Sequence, residues 1–162
     1  MEISQKLAKA ITDQIGHEFQ ASQQYFALAV YFREKELTLL SKFFMKQSNE
    51  EREHALKFVE YLWDTNNTVE LPALSASYAG FKSAEEALAS ALNWEKEVTR
   101  RINELMAIAI EDKDYLSQDF LRWFVKEQLE EENSMGQILN VIRMAGERNL
   151  LPVENYLSHI MK

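Results

Sequence analysis

Six side chains on four separate stretches could do chemistry together: Glu18, the pair Glu51 and His54, Glu95, and the pair Gln128 and Glu131. Glu51-x-x-His54 puts a carboxylate and an imidazole one turn apart on a single helical face. Gln128-x-x-Glu131 repeats that spacing with an amide and a carboxylate. Four carboxylates on interior faces cannot simply stay ionised. An isolated buried carboxylate is costly, and like charges add to the cost. No Lys or Arg lies on the faces concerned. Two divalent ions would roughly cancel four negative charges. Oxygen donors with one imidazole and no thiolate suit iron or manganese better than a structural zinc. Ions in two-metal sites sit about 3.5–4 Å apart, and Glu51, with His54 one turn along, is the natural bridge between them.

Each of these residues interrupts an apolar seam read at 3–4 spacing. A first helix over about Ser4 to Glu34 presents Ile11, Ile15, Glu18, Ser22, Tyr25, Ala29 and Phe32. A second, Thr38 to Thr65, presents Leu40, Phe44, Gln47, Glu51, His54, Phe58 and Tyr61. A third is N-capped by Ser83, with Glu86 completing a capping box, and runs to about Glu111. It presents Leu88, Ala91, Glu95, Val98, Ile102 and Leu105. A fourth, from near Tyr115 to Gly146, presents Leu121, Phe124, Gln128, Glu131, Met135, Ile138 and Ile142. Every seam is apolar at both ends and polar near its middle, so helices bundled side by side bring the polar middles to one level. Any one glutamate taken alone is as well explained as a surface residue, and a lone Glu-x-x-His is a weak signal. Coincidence across four helices carries the inference.

Three of the connections are short, which makes antiparallel neighbours. The second and third helices are joined by a long stretch carrying Pro72 and Gly80. Such a stretch crosses the length of a bundle and leaves those two helices parallel. Pro152 suits the first position of a short fifth helix, Val153 to about Met161. The expected fold class is all-α, a single domain over 1–162.

Composition narrows the function. Four glycines and two prolines in 162 residues favour long helices. The absence of cysteine removes disulfides, thiol catalysis and iron–sulfur clusters. No apolar run reaches membrane-spanning length, and the first residues lack a signal-peptide core. The expectation is a cytoplasmic protein with no membrane partner. A net charge of −8 without a basic cluster disfavours nucleic acid.

The segments HEFQASQQY (17–25), NEEREH (49–54), WEKEVT (94–99) and KEQLEEE (126–132) resemble the bacterial non-haem ferritins, and the likeness extends over essentially the whole chain. It implies a ferritin-like four-helix bundle with one long crossover loop and a short fifth helix. Its function would be iron storage. Fe(II) would be oxidised by O2 or H2O2 at a di-iron ferroxidase centre, and hydrated ferric oxide kept in the cavity of a homo-oligomeric, 24-subunit shell. The resemblance puts the first iron on Glu18, Glu51 and His54, and the second on Glu51, Glu95 and Gln128. Glu50, Glu127, Glu130 and Glu131 match a third, inward-facing iron site, and Glu53 a cavity carboxylate. Glu132 reads as a solvated charge. Tyr25 matches a tyrosine beside the iron pair; a core tyrosine with a satisfied hydroxyl is its plainer reading. Gln128 departs from the bacterioferritins, which are similar but carry a second Glu and His there. Arg52 stands where their haem-binding methionine falls, so no haem is expected. Gln118 and Leu121 match pore positions that are often acidic in the family, which leaves iron to enter by another pore or through Asp114 or Asp119. A non-storing di-iron oxidase or peroxidase of the rubrerythrin kind is the alternative enzyme, and a purely structural helical oligomer the alternative without chemistry.

Overall fold

The computed structural model describes residues 2–161. Five helices account for its regular structure: α1 (Gln5–Glu34), α2 (Thr38–Asp64), α3 (Ala84–Glu111), α4 (Tyr115–Ala145) and α5 (Leu151–Ile160). The helix starts follow capping chemistry. The hydroxyl of Ser4 accepts from Leu7 N, that of Ser83 from Glu86 N, and the carboxylate of Asp114 from Ser117 N. Glu86 reaches back as expected, but to the N–H of Lys82, one residue before the cap. The fifth helix begins at Leu151, so Pro152 is its second residue instead of its first. Both early positions spare proline its missing N–H. Among the described residues no helix is long and apolar enough to cross a membrane.

Contacts between helix ends give the topology. Ser4 and Lys6, at the start of α1, bond to Asp112 and Glu111 at the end of α3. The tight turn 35–37 makes α1 antiparallel to α2, so α2 and α3 run parallel and residues 65–83 cross the bundle. Tyr61, near the end of α2, meets Ser117 at the start of α4 at 2.6 Å. α5 closes one end through Glu154, whose carboxylate accepts the N–H groups of Leu39 (2.7 Å) and Leu40 (2.9 Å). Leu37 offers α2 no side-chain cap of its own, so this contact satisfies donors that would otherwise be orphaned.

The crossover is held by α1. Gln20 exchanges two hydrogen bonds with the backbone of Ser75, and Gln24 two with that of Tyr78, at 2.7–3.1 Å. One turn before Gln20, Gly16 lets Pro72 rest on the helix: a Cβ at 16 would lie 2.4 Å from Pro72 Cγ. Gly16→Ala gains about 1 kcal/mol of helix propensity but must push a rigid ring aside, at about 1–3 kcal/mol. The expected result is a melting temperature lower by about 2–4 °C. A rise in calorimetry would show that the crossover does not press on α1.

The interior falls into two apolar clusters. One contains Leu28, Phe32, Leu40, Phe44, Leu88, Ile138 and Ile142, and is capped by Val153 and Leu157 of α5. The other contains Leu7, Ile11, Ile15, Phe58, Leu62, Ile102, Leu105, Leu121 and Phe124. Leu121 is fully buried there and therefore lines no pore, contrary to the expectation from resemblance. Gln118, half-buried, donates to the carbonyl of Ala109, and Asp114 is occupied as the α4 cap. Asp119 is exposed.

Candidate metal centre

Between the two apolar clusters lies a layer of buried polar groups. Glu18, Glu51, His54, Glu95, Gln128 and Glu131 are each 5% exposed or less, and Tyr25 is fully enclosed. They come from all four long helices, one level per seam, as the interrupted periodicity implied. Ligand atoms of Glu18, Glu51 and His54 lie within 4.8 Å of one another, close enough for one ion. His54 Nδ1 and Glu51 Oε2 are 3.2 Å apart, and the imidazole is flanked edge-on by Trp123 and Phe124.

The remaining members surround this group. Glu95 is held from both sides: the Tyr25 hydroxyl donates to its Oε1, and Gln128 Nε2 donates to its Oε2 at 3.1 Å. The same amide nitrogen reaches the Glu95 carbonyl at 3.2 Å, which leaves the Gln128 carbonyl oxygen as that side chain's acceptor. Glu131 Oε2 accepts from Gln47 Nε2 at 2.8 Å. Glu50 and Glu127 are half-buried beside the layer, with Glu50 3.0 Å from Lys46. Glu130 and Glu53 are exposed. Glu132, expected to be a solvated charge, is half-buried and accepts from the Thr99 hydroxyl at 2.5 Å, because its position on α4 faces α3.

The electrostatics are those of a site short of positive charge. Burial, followed by the charge of Glu51, pushes the Glu18 carboxyl well above the usual range. Burial, with Glu95 and Glu131 next, does the same to Glu51. Burial raises Glu95 against the opposing hydrogen bonds of Tyr25 and Gln128. Burial, then Glu95 and Glu50, lifts Glu131 to about 8. The Tyr25 hydroxyl is held protonated by burial and by Glu95, so it serves as a donor. Two carboxylate oxygens in the layer, Glu18 Oε2 and Glu51 Oε1, are buried with no hydrogen-bond partner. Orphaned acceptors of this kind are expensive in a native structure. Both belong to the group whose ligand atoms converge, and a hard divalent cation satisfies both at once. Iron fits this donor set: carboxylate oxygens, one imidazole, an amide oxygen at the edge, and no thiolate.

The layer is shut off from a surface cleft of about 640 Å3, which lies under the crossover against Gly16, His17 and Trp94 and is lined by none of the clustered residues. Two participants escaped the sequence reading. Gln14 donates to Glu18 Oε1 at 2.9 Å, and the i, i+4 spacing to Glu18 was the available signal. Trp123 is placed against His54 by its neighbour Phe124 on the seam, and nothing in its own spacing marked it.

A ferritin-like domain profile matches residues 8–145. The chain is 40% identical over 156 residues to ferritin BfrB of Mycolicibacterium smegmatis, covering 96% of this chain and 86% of that one. It is 37% identical over 145 residues to the bacterial non-heme ferritin of Staphylococcus aureus, covering 90% and 87%. An open-pore ferritin from the hyperthermophilic archaeon Archaeoglobus fulgidus superposes with a TM-score of 0.93 at 33% identity, over 98% of each chain.

Proposed function

The chain belongs to the ferritin family, and on that premise we propose that it oxidises Fe(II) in its buried carboxylate layer and stores the ferric product. The observation that carries this reading is the convergence of Glu18, Glu51 and His54 with two carboxylate oxygens left unpartnered among them. Iron is the substrate here and the cargo. Glu18, Glu51 and His54 hold one Fe(II). Glu51, Glu95 and the Gln128 amide oxygen hold a second. Tyr25, bonded to Glu95, keeps that carboxylate turned and stands close enough to give up an electron.

Two irons at one place matter because the oxidant takes electrons in pairs. Each Fe(II) loses one electron. Dioxygen gains both, with two protons, to give hydrogen peroxide; hydrogen peroxide as oxidant gains both, with two protons, to give two waters. The carboxylates favour the higher charge of Fe(III), since hard anionic oxygens bind it more strongly than Fe(II). Protons displaced from the layer when metal enters are on hand for the reduced oxidant. Gln128, neutral where a glutamate would be charged, binds the second iron less firmly and lets it move on. Glu50, Glu127, Glu130 and Glu131 form the third, inward site, and from there iron passes to a mineral inside a shell of 24 copies.

Aerobic loading with Fe(II), followed by gel filtration and iron analysis, tests the reading. The expected result is many irons per chain eluting with a large assembly. A plateau near two per chain would keep the metal pair and reassign the protein as a non-storing oxidase. Retention of none would remove the metal argument.

A further inference from the structure

We propose that Gln14 is a positioning residue for metal capture: it holds Glu18 so that one carboxylate oxygen alone is offered to the ion shared with Glu51 and His54. This deepens the reading of that cluster as the iron site and rests on it. Gln14 lies one turn before Glu18 on α1 and is 2% exposed. Its Nε2 donates to Glu18 Oε1 at 2.9 Å, while Glu18 Oε2 is buried and has no partner. The amide thus distinguishes two otherwise equivalent oxygens, engaging one and leaving the other for a ligand. A carboxylate with both oxygens free can rotate about its terminal bond or chelate an ion with both. Anchoring Oε1 removes both alternatives before the metal arrives.

The other acids of the layer are held differently. Glu95 has both oxygens engaged, by Tyr25 and by Gln128. Glu131 takes a comparable amide from Gln47, at 2.8 Å. In the group whose ligand atoms converge, Glu51 too has one engaged and one orphaned oxygen, but its engaged oxygen faces His54 Nδ1 at 3.2 Å, itself a candidate ligand. Glu18 is anchored by a side chain outside the group. Packing alone does not call for a glutamine at this place. Ile11 and Ile15, fully buried, flank it on α1, and a branched aliphatic residue would bury there at lower cost than an amide. Beyond Gln14 lies a small cleft of about 150 Å3 between α1 and α3, with Asp13, Arg101 and Glu104 among its walls. Truncation to alanine would join that space to the site. Methionine is close to glutamine in length and shape and removes the amide, and with it the donor to Glu18.

The test is Gln14→Met in the full assembly, with Co(II) as the probe, read by its visible absorption and by the dissociation constant of the first ion bound per chain. The variant is expected to bind that ion about tenfold more weakly, the loss of one hydrogen bond to a charged acceptor. Its absorption bands should shift, because Glu18 is then free to turn. A residue that only fills space would change the melting temperature and leave affinity and spectrum alone; an unchanged constant with unchanged bands overturns the proposal. Failure of the native protein to bind Co(II) would instead remove the iron-site reading, and the proposal with it. Should the variant not assemble, a crystal structure of the native protein with Co(II) decides. Glu18 bound through one oxygen with Gln14 still on the other supports the assignment. Glu18 bound through both, with Gln14 turned away, overturns it.

Discussion

Replacing Glu51 with glutamine is expected to slow Fe(II) oxidation on the order of a hundredfold or more, while leaving the metal-free protein as stable as the native one or more so. Changes one shell removed from a metal already cost about 10–100-fold, and Glu51 is the residue both irons share in the proposed site. The stability half of the expectation has a separate cause. Glu51 is 2% exposed, and burial together with Glu95 and Glu131 drives its carboxyl far above the usual range. In the absence of metal its charge is a liability. Glutamine keeps the shape and removes that charge, which also relieves Glu18, whose proton affinity is raised by the same neighbour. Activity and stability thus move in opposite directions, as they do at sites whose residues serve function at the expense of the fold. Stopped-flow absorbance of the ferric product measures the first, and calorimetry of the metal-free protein the second. Full oxidation by Glu51→Gln would mean that the irons are paired elsewhere in the layer. A large loss of stability without metal would mean that Glu51 is a structural hydrogen-bonding residue and that its position near His54 is incidental.

Much of this was legible from spacing because a helix repeats every 3.6 residues and a bundle has one interior. The seams read on four helices became two apolar clusters with one polar layer between them. The same periodicity proved the better guide at Leu121. Resemblance assigned that position to a pore, whereas its place on the seam puts it in the core, where it is fully buried. Helix ends were legible where a side chain caps them, as Ser83 does. They were less so at turns, since Glu36, Asn66 and Lys113 take positive φ without being glycine, so no glycine marked those breaks. The crossover could be placed but not described. Its fixation depends on Gln20 and Gln24 bonding to the backbone of residues 75 and 78, and backbone partners carry no sequence signal. Gln14 was missed for a related reason: glutamine is an ordinary helix former, so one more on an amphipathic helix draws no notice until its amide is seen on a buried carboxylate.

Raising the pH from about 5 to 8 is expected to destabilise the metal-free protein and to widen the stability gap between metal-free and Zn(II)-loaded forms. Glu18, Glu51 and Glu95 keep their protons to higher pH in the fold than in the unfolded chain, and Glu131 keeps its own to about 8, against an ordinary 4.5. Between those values the native state binds more protons than the unfolded one, so stability falls as pH rises. The contribution is fully present below the ordinary carboxylate value and is lost as the pH climbs through the folded one. Each unit of difference is worth about 1.4 kcal/mol per group, so the layer as a whole outweighs most single surface effects. Metal reverses the trend, because an ion must displace the protons that occupy its ligands. At pH 8 few protons compete, and an ion present at a hundredfold its dissociation constant adds about 2.7 kcal/mol, several degrees in melting temperature. Near pH 5 the same concentration adds much less. Calorimetry across this range, with and without Zn(II), distinguishes a buried site from a decorated surface. Exposed carboxylates are half-titrated near 4.5 and essentially ionised by about pH 6, so they would give a metal effect almost independent of pH above that, and a flat gap would place the ions outside the layer. A gap that opens between pH 6 and 8 requires ligands that still hold protons there, as Glu131 does with its carboxyl at about 8, in a layer where burial raises Glu18, Glu51 and Glu95 as well.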